Sequence, residues 1–179
     1  MIRFTALLAV LALGGLAVAA CGEDEPSGSG GAASTDRAFA TAMIPHHESA
    51  IDMAEMAQER GESAFVRQLA ENIISTQSAE IDVLRKADQR LADEGLEVGV
   101  LGSMNDMSMD ESDTMETLRT ADPFDEAFME MMIEHHQRAV DMAKIEVAEG
   151  SDPELQGLAQ DVIVAQEQEI ADMRDRLAE

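Results

Sequence analysis

MIPHHESAIDMA (residues 43–54) and MIEHHQRAVDMA (residues 132–143) are two versions of one pattern, and together they contain every histidine of the chain. The two stretches lie 89 residues apart, and the match continues at that offset without a gap. Gly61 falls on Gly150, and residues 69–81 fall on residues 158–170 with identical Leu, Ala, Ile, Gln and Glu positions. A match of this length indicates an internal duplication.

Each repeat contains two helical patterns separated by a glycine. Apolar residues spaced three and four apart in residues 36–60 predict one amphipathic helix, and residues 62–93 predict a second. Gly61 and Gly150 suit the turns between paired helices. Four such helices, with short turns inside each pair, predict an all-α four-helix bundle. The candidate helix starts are Ser34 with Thr35, Asp122 with Pro123, and Ser151 with Asp152 and Pro153.

The N-terminal segment has the features of a bacterial secretory signal. An apolar run follows Arg3 and ends in Val-Ala-Ala-Cys, which resembles the lipobox of bacterial lipoproteins. We therefore expect a signal peptide over residues 1–20, lipidation of Cys21, and a flexible Gly- and Ser-rich tether over residues 21–33. The expected bundle domain spans residues 34–179, with repeats at 36–93 and 125–178 and a long methionine-rich connection at 94–121.

Composition excludes several classes of function. The formal charge of −25 repels nucleic acid, and the chain has no Trp or Tyr to stack on bases or sugars. Cys21 is the only cysteine, so the folded part has neither a disulfide nor a thiolate metal site. We expect no nucleic-acid partner.

The helical spacing places polar side chains where a core normally has leucine. His46 and His135 fall in the middle of the buried stripe, while His47 and His136 fall at its edge, facing a neighbouring helix. A buried polar group without a partner costs about 1–3 kcal/mol, so these side chains require partners. Two explanations stay open: a metal site, or a network of hydrogen bonds that only specifies packing. The other polar residues predicted on the inner side are Gln77, Glu80, Gln166, Glu169, Asp36 and Asp125.

The residue types favour a soft metal. Di-iron bundles use Glu-x-x-His, whereas this chain has Met-x-x-His-His in both repeats. Thioether and imidazole ligands together favour copper, particularly Cu(I), over zinc or iron. The connection adds an M-x-x-M-x-M spacing, which we interpret as an accessory metal loop. The candidate ligands are Met43, His46, His47, Met53, Met132, His135, His136 and Met142, and the loop residues are Met104, Met107 and Met109.

The doubled Met-Ile-x-His-His segment, with a Phe four residues before the Met and a downstream Ile-x-x-Gln-x-x-Glu-Ile, resembles the domain of unknown function number 305. The resemblance covers essentially the whole expected domain. It implies a ferritin-like four-helix bundle found in secreted or periplasmic bacterial proteins, some of which bind copper and contribute to copper tolerance. It also implies that the histidine pairs and the nearby methionines are associated with metal.

The leading hypothesis is therefore an extracytoplasmic lipoprotein that binds copper, as Cu(I) or Cu(II), for sequestration or transfer and without catalysis. Its expected partners are the membrane, through the lipid on Cys21, and the metal ion, with a homo-oligomer or a metal-exchange protein left open. One alternative is a ferritin-like di-metal oxidase that uses Asp36, Asp125, Glu80, Glu169 and the histidines. The other is an interaction module that binds no metal.

Overall fold

The computed structural model describes residues 29–101 and 111–179, and this part of the chain forms five helices and no strand. The all-α prediction is confirmed. The long helices are α1 (Ser29–Arg60) and α2 (Ala64–Asp93), then α4 (Phe124–Glu149) and α5 (Pro153–Leu177), with the short α3 (Glu111–Thr120) between the two pairs. None of these helices is long and apolar enough to span a membrane.

Local residues explain both ends of α2 and the start of α5. The side chain of Ser63 accepts a hydrogen bond from the Val66 amide at the start of α2, and Gly95, with a φ of 82°, follows its end. At the start of α5, the Asp152 carboxylate accepts bonds from the amides of Glu154 and Leu155, as its position before a proline predicts.

The start of α1 differs from the prediction. The helix begins at Ser29, so it extends into the segment predicted as tether, and Ser34 with Thr35 lie inside it. Both hydroxyls donate to the carbonyl of Gly31, at 2.8 and 3.1 Å. This bonding within the helix replaces the capping role predicted for them.

The short α3 is absent from the prediction, in which residues 94–121 form a loop. Met115 packs against the core, and Leu118 is fully buried. Arg60, at the end of α1, donates to the carbonyls of Leu118 and Ala121, at 2.8 and 2.9 Å. Met115, in the predicted connection, therefore belongs to a helix that contacts with distant residues stabilise.

The bundle pairs α1 with α2 and α4 with α5, and the two pairs meet mainly through α1 and α4. Asp36, near the start of α1, contacts the turn after α4, and Asp125, near the start of α4, contacts the turn after α1. The helices α1 and α4 are therefore antiparallel, and an approximate twofold relation connects the repeats. Because of this relation, equivalent residues face each other near the middle of the bundle.

In the described residues, the hydrophobic core forms two clusters, one on each side of the histidine positions. We call them the Phe39 cluster and the Phe128 cluster. The Phe39 cluster contains Ala38, Phe39, Ala40, Met43, Leu84, Ala87, Leu91, Leu101, Ala139, Met142, Ala143, Leu155, Ala159 and Val162. The Phe128 cluster contains Ala50, Met53, Ala54, Ala57, Val66, Leu69, Ala70, Ile73, Leu118, Phe124, Phe128, Met129, Met132 and Met173.

Candidate metal centre

His46 of α1 and His135 of α4 meet at the centre of the bundle. Their ring centroids are 3.8 Å apart, with an interplanar angle of 42°. Both ring nitrogens of His46 and Nδ1 of His135 are buried without a hydrogen-bond partner. Three buried nitrogens without partners would cost several kcal/mol in total if nothing bound them. This arrangement favours a ligand over a network that only specifies packing.

The surroundings of this pair keep both rings neutral. Burial, followed by the charges of His47 and Arg138, lowers the pKa of His46 to about 3. Burial, followed by the neighbouring His46 and His136, lowers the pKa of His135 well below its usual value of 6.5. A neutral imidazole keeps a free lone pair at neutral pH, which is the form that binds a metal ion.

The outer histidines face the second helix of their own hairpin. Nε2 of His47 lies 2.7 Å from Oε2 of Glu80, and Nε2 of His136 lies 2.6 Å from Oε2 of Glu169. Only the His136 contact also has hydrogen-bond alignment. Both rings are fully buried, and both Nδ1 atoms have no partner. A carboxylate on one ring nitrogen orients the ring and makes the other nitrogen more basic, as is common around metal-binding histidines.

Each outer histidine lies next to its inner neighbour, with ring centroids 6.3 Å apart in both repeats. The four rings and the two carboxylates therefore form a continuous row across the bundle, which we call the histidine band. It consists of Glu80, His47, His46, His135, His136 and Glu169 in that order.

Two glutamines lie next to the carboxylates at the ends of the histidine band. Gln77 and Gln166 are buried, and the Oε1 atom of each has no partner. With Glu80 and Glu169 they line a narrow cleft between α2 and α5, whose interior volume is about 10 Å³. The structure thus brings together the four side chains of α2 and α5 that the sequence places near the candidate site.

The methionines lie on both sides of the histidine band. Met43 and Met142 belong to the Phe39 cluster, whereas Met53 and Met132 belong to the Phe128 cluster. All four side chains are buried. Each side of the band therefore has one thioether from each repeat.

Asp36 and Asp125 are not part of this centre. The Asp36 carboxylate accepts bonds from the Ser151 amide and hydroxyl, both at 2.7 Å, and from the Asp152 amide at 3.1 Å. Asp125 accepts bonds from the amides of Glu62 and Ser63, both at 2.8 Å. Asp36 is buried and Asp125 is partly buried, and each binds the turn of the other repeat, away from the histidine band.

Two residues near these sites were missed by the sequence prediction. Arg138 lies close enough to the inner histidines for its charge to lower the pKa of both. Glu146 is fully buried beside Asp36, and its counterpart in the first repeat is Ala57. The mismatch between a carboxylate and an alanine at equivalent positions was the available signal.

Cys21, Met104, Met107 and Met109 lie outside the described residues.

The donor set fits a soft ion better than a hard one. In the described part of the chain, no three His, Cys, Asp or Glu side chains are grouped closely enough to hold a metal ion by themselves. The histidines with these nitrogens lie between two core clusters that contain buried methionines, and thioethers are soft ligands. These residues therefore fit copper, provided that methionine takes part.

A comparison with known families identifies the family of the chain. The family model described as "Domain of unknown function (DUF305)" matches residues 36–177. The chain belongs to the DUF305 family. No match was found among curated protein sequences.

Solved structures of DUF305 proteins are similar to this chain over most of their length. "CopM in the Cu(II)-bound form" is 36% identical with a TM-score of 0.69, and the match covers 80% of this chain and 95% of that one. "CopM in the Cu(I)-bound form" is 38% identical with a TM-score of 0.66, covering 78% and 93%. A putative secreted DUF305 protein from Streptomyces coelicolor is 29% identical with a TM-score of 0.69, covering 82% and 94%.

Proposed function

We propose that this DUF305 protein binds copper, with a preference for Cu(I), and that it sequesters or transfers the ion in copper tolerance. The observation that carries the proposal is the His46–His135 pair, whose ring nitrogens are buried without partners between two layers of methionine. The CopM structures support the choice of metal because they contain Cu(II) and Cu(I), and silver in further crystal forms.

In this proposal, each group of side chains has a separate role. His46 and His135 supply lone pairs, and the methionines supply thioethers that cannot form disulfides in an oxidising environment. His136 is oriented by Glu169 and His47 lies against Glu80, so the Nδ1 atoms of both rings are available for the same ion or a second one. The ring nitrogens of the inner pair are buried away from water, which strengthens binding of a weakly hydrated ion.

The test is a parallel titration of an untagged protein with Cu(I), Cu(II), Zn(II) and Fe(II). We expect the tightest binding with Cu(I), and we expect the double variant His46→Ala with His135→Ala to weaken it by about 100-fold or more. Gln58→Ala with Gln137→Ala is the control, since these exposed side chains lie on the same two helices. Stoichiometric Cu(I) binding of unchanged affinity in the histidine variant would contradict the proposed site.

We also propose that the protein works outside the cytoplasm, anchored by a lipid on Cys21. The support is the sequence pattern of residues 1–21. Cys21→Ser should abolish incorporation of a labelled fatty acid and move the protein from the membrane fraction to the soluble one.

Met104, Met107 and Met109 are proposed as an accessory site, whose replacement by leucine should lower the number of Cu(I) ions bound.

The two alternatives give different results in the same assays. A di-metal oxidase would consume oxygen with Fe(II), and we expect no consumption because Asp36 and Asp125 are bonded to the turns. An interaction module would show the same melting temperature with every metal. We expect instead a rise with Cu(I), because binding to the folded state alone stabilises it.

A further inference from the structure

The histidine band has two sides, and they differ in charge. His136 points towards α5, where its Nε2 contacts Glu169. Arg138 lies two residues further along α4, and therefore about 200° round the helix from His136. The side of the band away from α5 thus has a cation beside the inner histidines, and that cation contributes to the lowered pKa of both rings. Arg138 makes that side less favourable for a positive ion, with Glu134 close enough to offset part of its charge.

On the opposite side, the ligand atoms available are oxygens, which lie beside the apolar Ile73 and Ala165. The cleft between α2 and α5 is lined by the carboxylates of Glu80 and Glu169, whose side chains are 12% and 22% exposed. The amide oxygens of Gln77 and Gln166 lie in the same cleft, buried and without partners. Oxygen atoms without partners, next to two partly exposed carboxylates, form a surface that attracts cations.

We propose that the cleft between α2 and α5 is the route by which a copper ion enters and leaves the centre, with Glu80 and Glu169 as its gate. An ion from solvent meets the two carboxylates and then the two amide oxygens. It next reaches His47 and His136, which stand between the cleft and the inner pair. This inference rests on the proposed function. It adds the path that the copper ion takes and the residues that set its association rate.

The route is closed in the structure. An interior of about 10 Å³ is at the lower limit for a single water molecule, so the cleft has to widen before an ion passes. The helices α2 and α5 pack against each other much less extensively than the two helices of either hairpin. Widening the cleft between α2 and α5 therefore disturbs fewer contacts than separating α1 from α2 or α4 from α5.

The first test blocks the mouth of the cleft. Ala165 is exposed on α5 and lines the cleft, so Ala165→Phe narrows the opening without replacing a core residue. Ala171→Phe is the matched control, because Ala171 is exposed on the same helix and does not line the cleft. We expect Cu(I) association, followed by stopped flow with a Cu(I)–chelator complex as donor, to slow about tenfold in Ala165→Phe only, with equal affinity in both variants.

The second test removes the charges of the gate. Glu80→Gln with Glu169→Gln keeps the shape of both side chains, and Glu167→Gln with Glu154→Gln is the control on exposed positions of α5. We expect association in the gate variant to slow several-fold at low salt and to depend less on ionic strength than association in the control variant. Melting temperatures of the metal-free variants establish that all of them fold.

The outcomes separate the two proposals. Unchanged association rates in both Ala165→Phe and the gate variant would overturn the proposed route while leaving the copper site in place. If the wild-type protein itself binds no copper, the proposed function fails. If Ala165→Phe does not fold, the gate variant decides the question alone.

Discussion

At the scale of single residues, buried polar groups at the histidine band and at Glu146 determine how the protein responds to its surroundings. The inner histidines stay neutral because burial opposes their charge, and their ring nitrogens are left for a ligand. Glu146 is a different case, since it is fully buried at the end of α4, away from the band. Burial and the neighbouring Asp36 raise the pKa of its carboxyl from about 4.5 to about 8.

Glu146 makes stability fall as the pH rises. Between pH 4.5 and 8 the unfolded chain loses the proton of this carboxyl while the folded protein keeps it, so the folded state is progressively disfavoured and the effect levels off above pH 8. We expect Glu146→Gln to raise the free energy of unfolding by about 1–3 kcal/mol at pH 8 and by little at pH 4.5. Urea unfolding at the two pH values checks this, with the exposed Glu149→Gln as control. An equal effect of Glu146→Gln at both pH values would contradict it.

At the scale of secondary-structure elements, each repeat stabilises the turn of the other. The carboxylate near the start of α1 holds the turn between α4 and α5, and the carboxylate near the start of α4 holds the turn between α1 and α2. These bonds connect residues far apart in the chain, and charged acceptors on backbone amides form strong hydrogen bonds. They fix the position of one hairpin relative to the other.

Removing one of these carboxylates should loosen one turn and leave the other intact. We expect Asp36→Ala to lower the free energy of unfolding by about 1–3 kcal/mol and to speed amide hydrogen exchange at Ser151 and Asp152. Asp125→Ala should do the same at Glu62 and Ser63. Asp52→Ala, an exposed position on α1, is the control. Faster exchange at both turns in either variant would show that the turns do not respond independently.

The sequence predicts the four long helices because their apolar spacing is local information. It cannot predict α3 in the same way, since the end of this helix is held by Arg60 and its buried Leu118 packs on the Phe128 cluster. The start of α1 is missed for a related reason: Ser34 and Thr35 are common capping residues but bond within the helix here. Spacing places Asp36 and Asp125 on the inner side, but it cannot show which partners they meet.

At the scale of the whole molecule, the histidine band divides the hydrophobic core into two clusters. Periodicity predicts which side chains point inwards, including both histidine pairs and all four candidate methionines. It does not predict that Met43 shares a cluster with Met142, and Met53 with Met132, because that pairing depends on the antiparallel packing of α1 and α4. The position of Arg138 beside the inner histidines likewise depends on how the helices pack.

The methionines of the two clusters affect the free energy of unfolding and the affinity for copper in different ways. Leucine has nearly the same volume as methionine, so replacing Met43, Met53, Met132 and Met142 by leucine should change the free energy of unfolding by less than about 1.5 kcal/mol per site. We expect the same variant to bind Cu(I) about 100-fold more weakly, because the thioethers are lost.

Urea unfolding of the metal-free protein and competition with a Cu(I) chelator measure the two effects. Met173→Leu is the control, since Met173 is buried in the Phe128 cluster on α5 and is not a candidate ligand. Full Cu(I) affinity in the fourfold leucine variant would mean that the methionines serve only as packing.

The exchange of carboxylates between the hairpins bears on how such a chain could have arisen. In a single ancestral hairpin, neither the aspartate near the start of the first helix nor the amides of the turn would have this hydrogen-bond partner. Two copies packed side by side would bond the aspartate of each hairpin to the turn amides of the other. The fused gene would then preserve, inside one polypeptide, the contacts of an earlier self-associating peptide. Severing the backbone between the repeats should accordingly produce fragments that reassemble as a pair and regain the copper site only together.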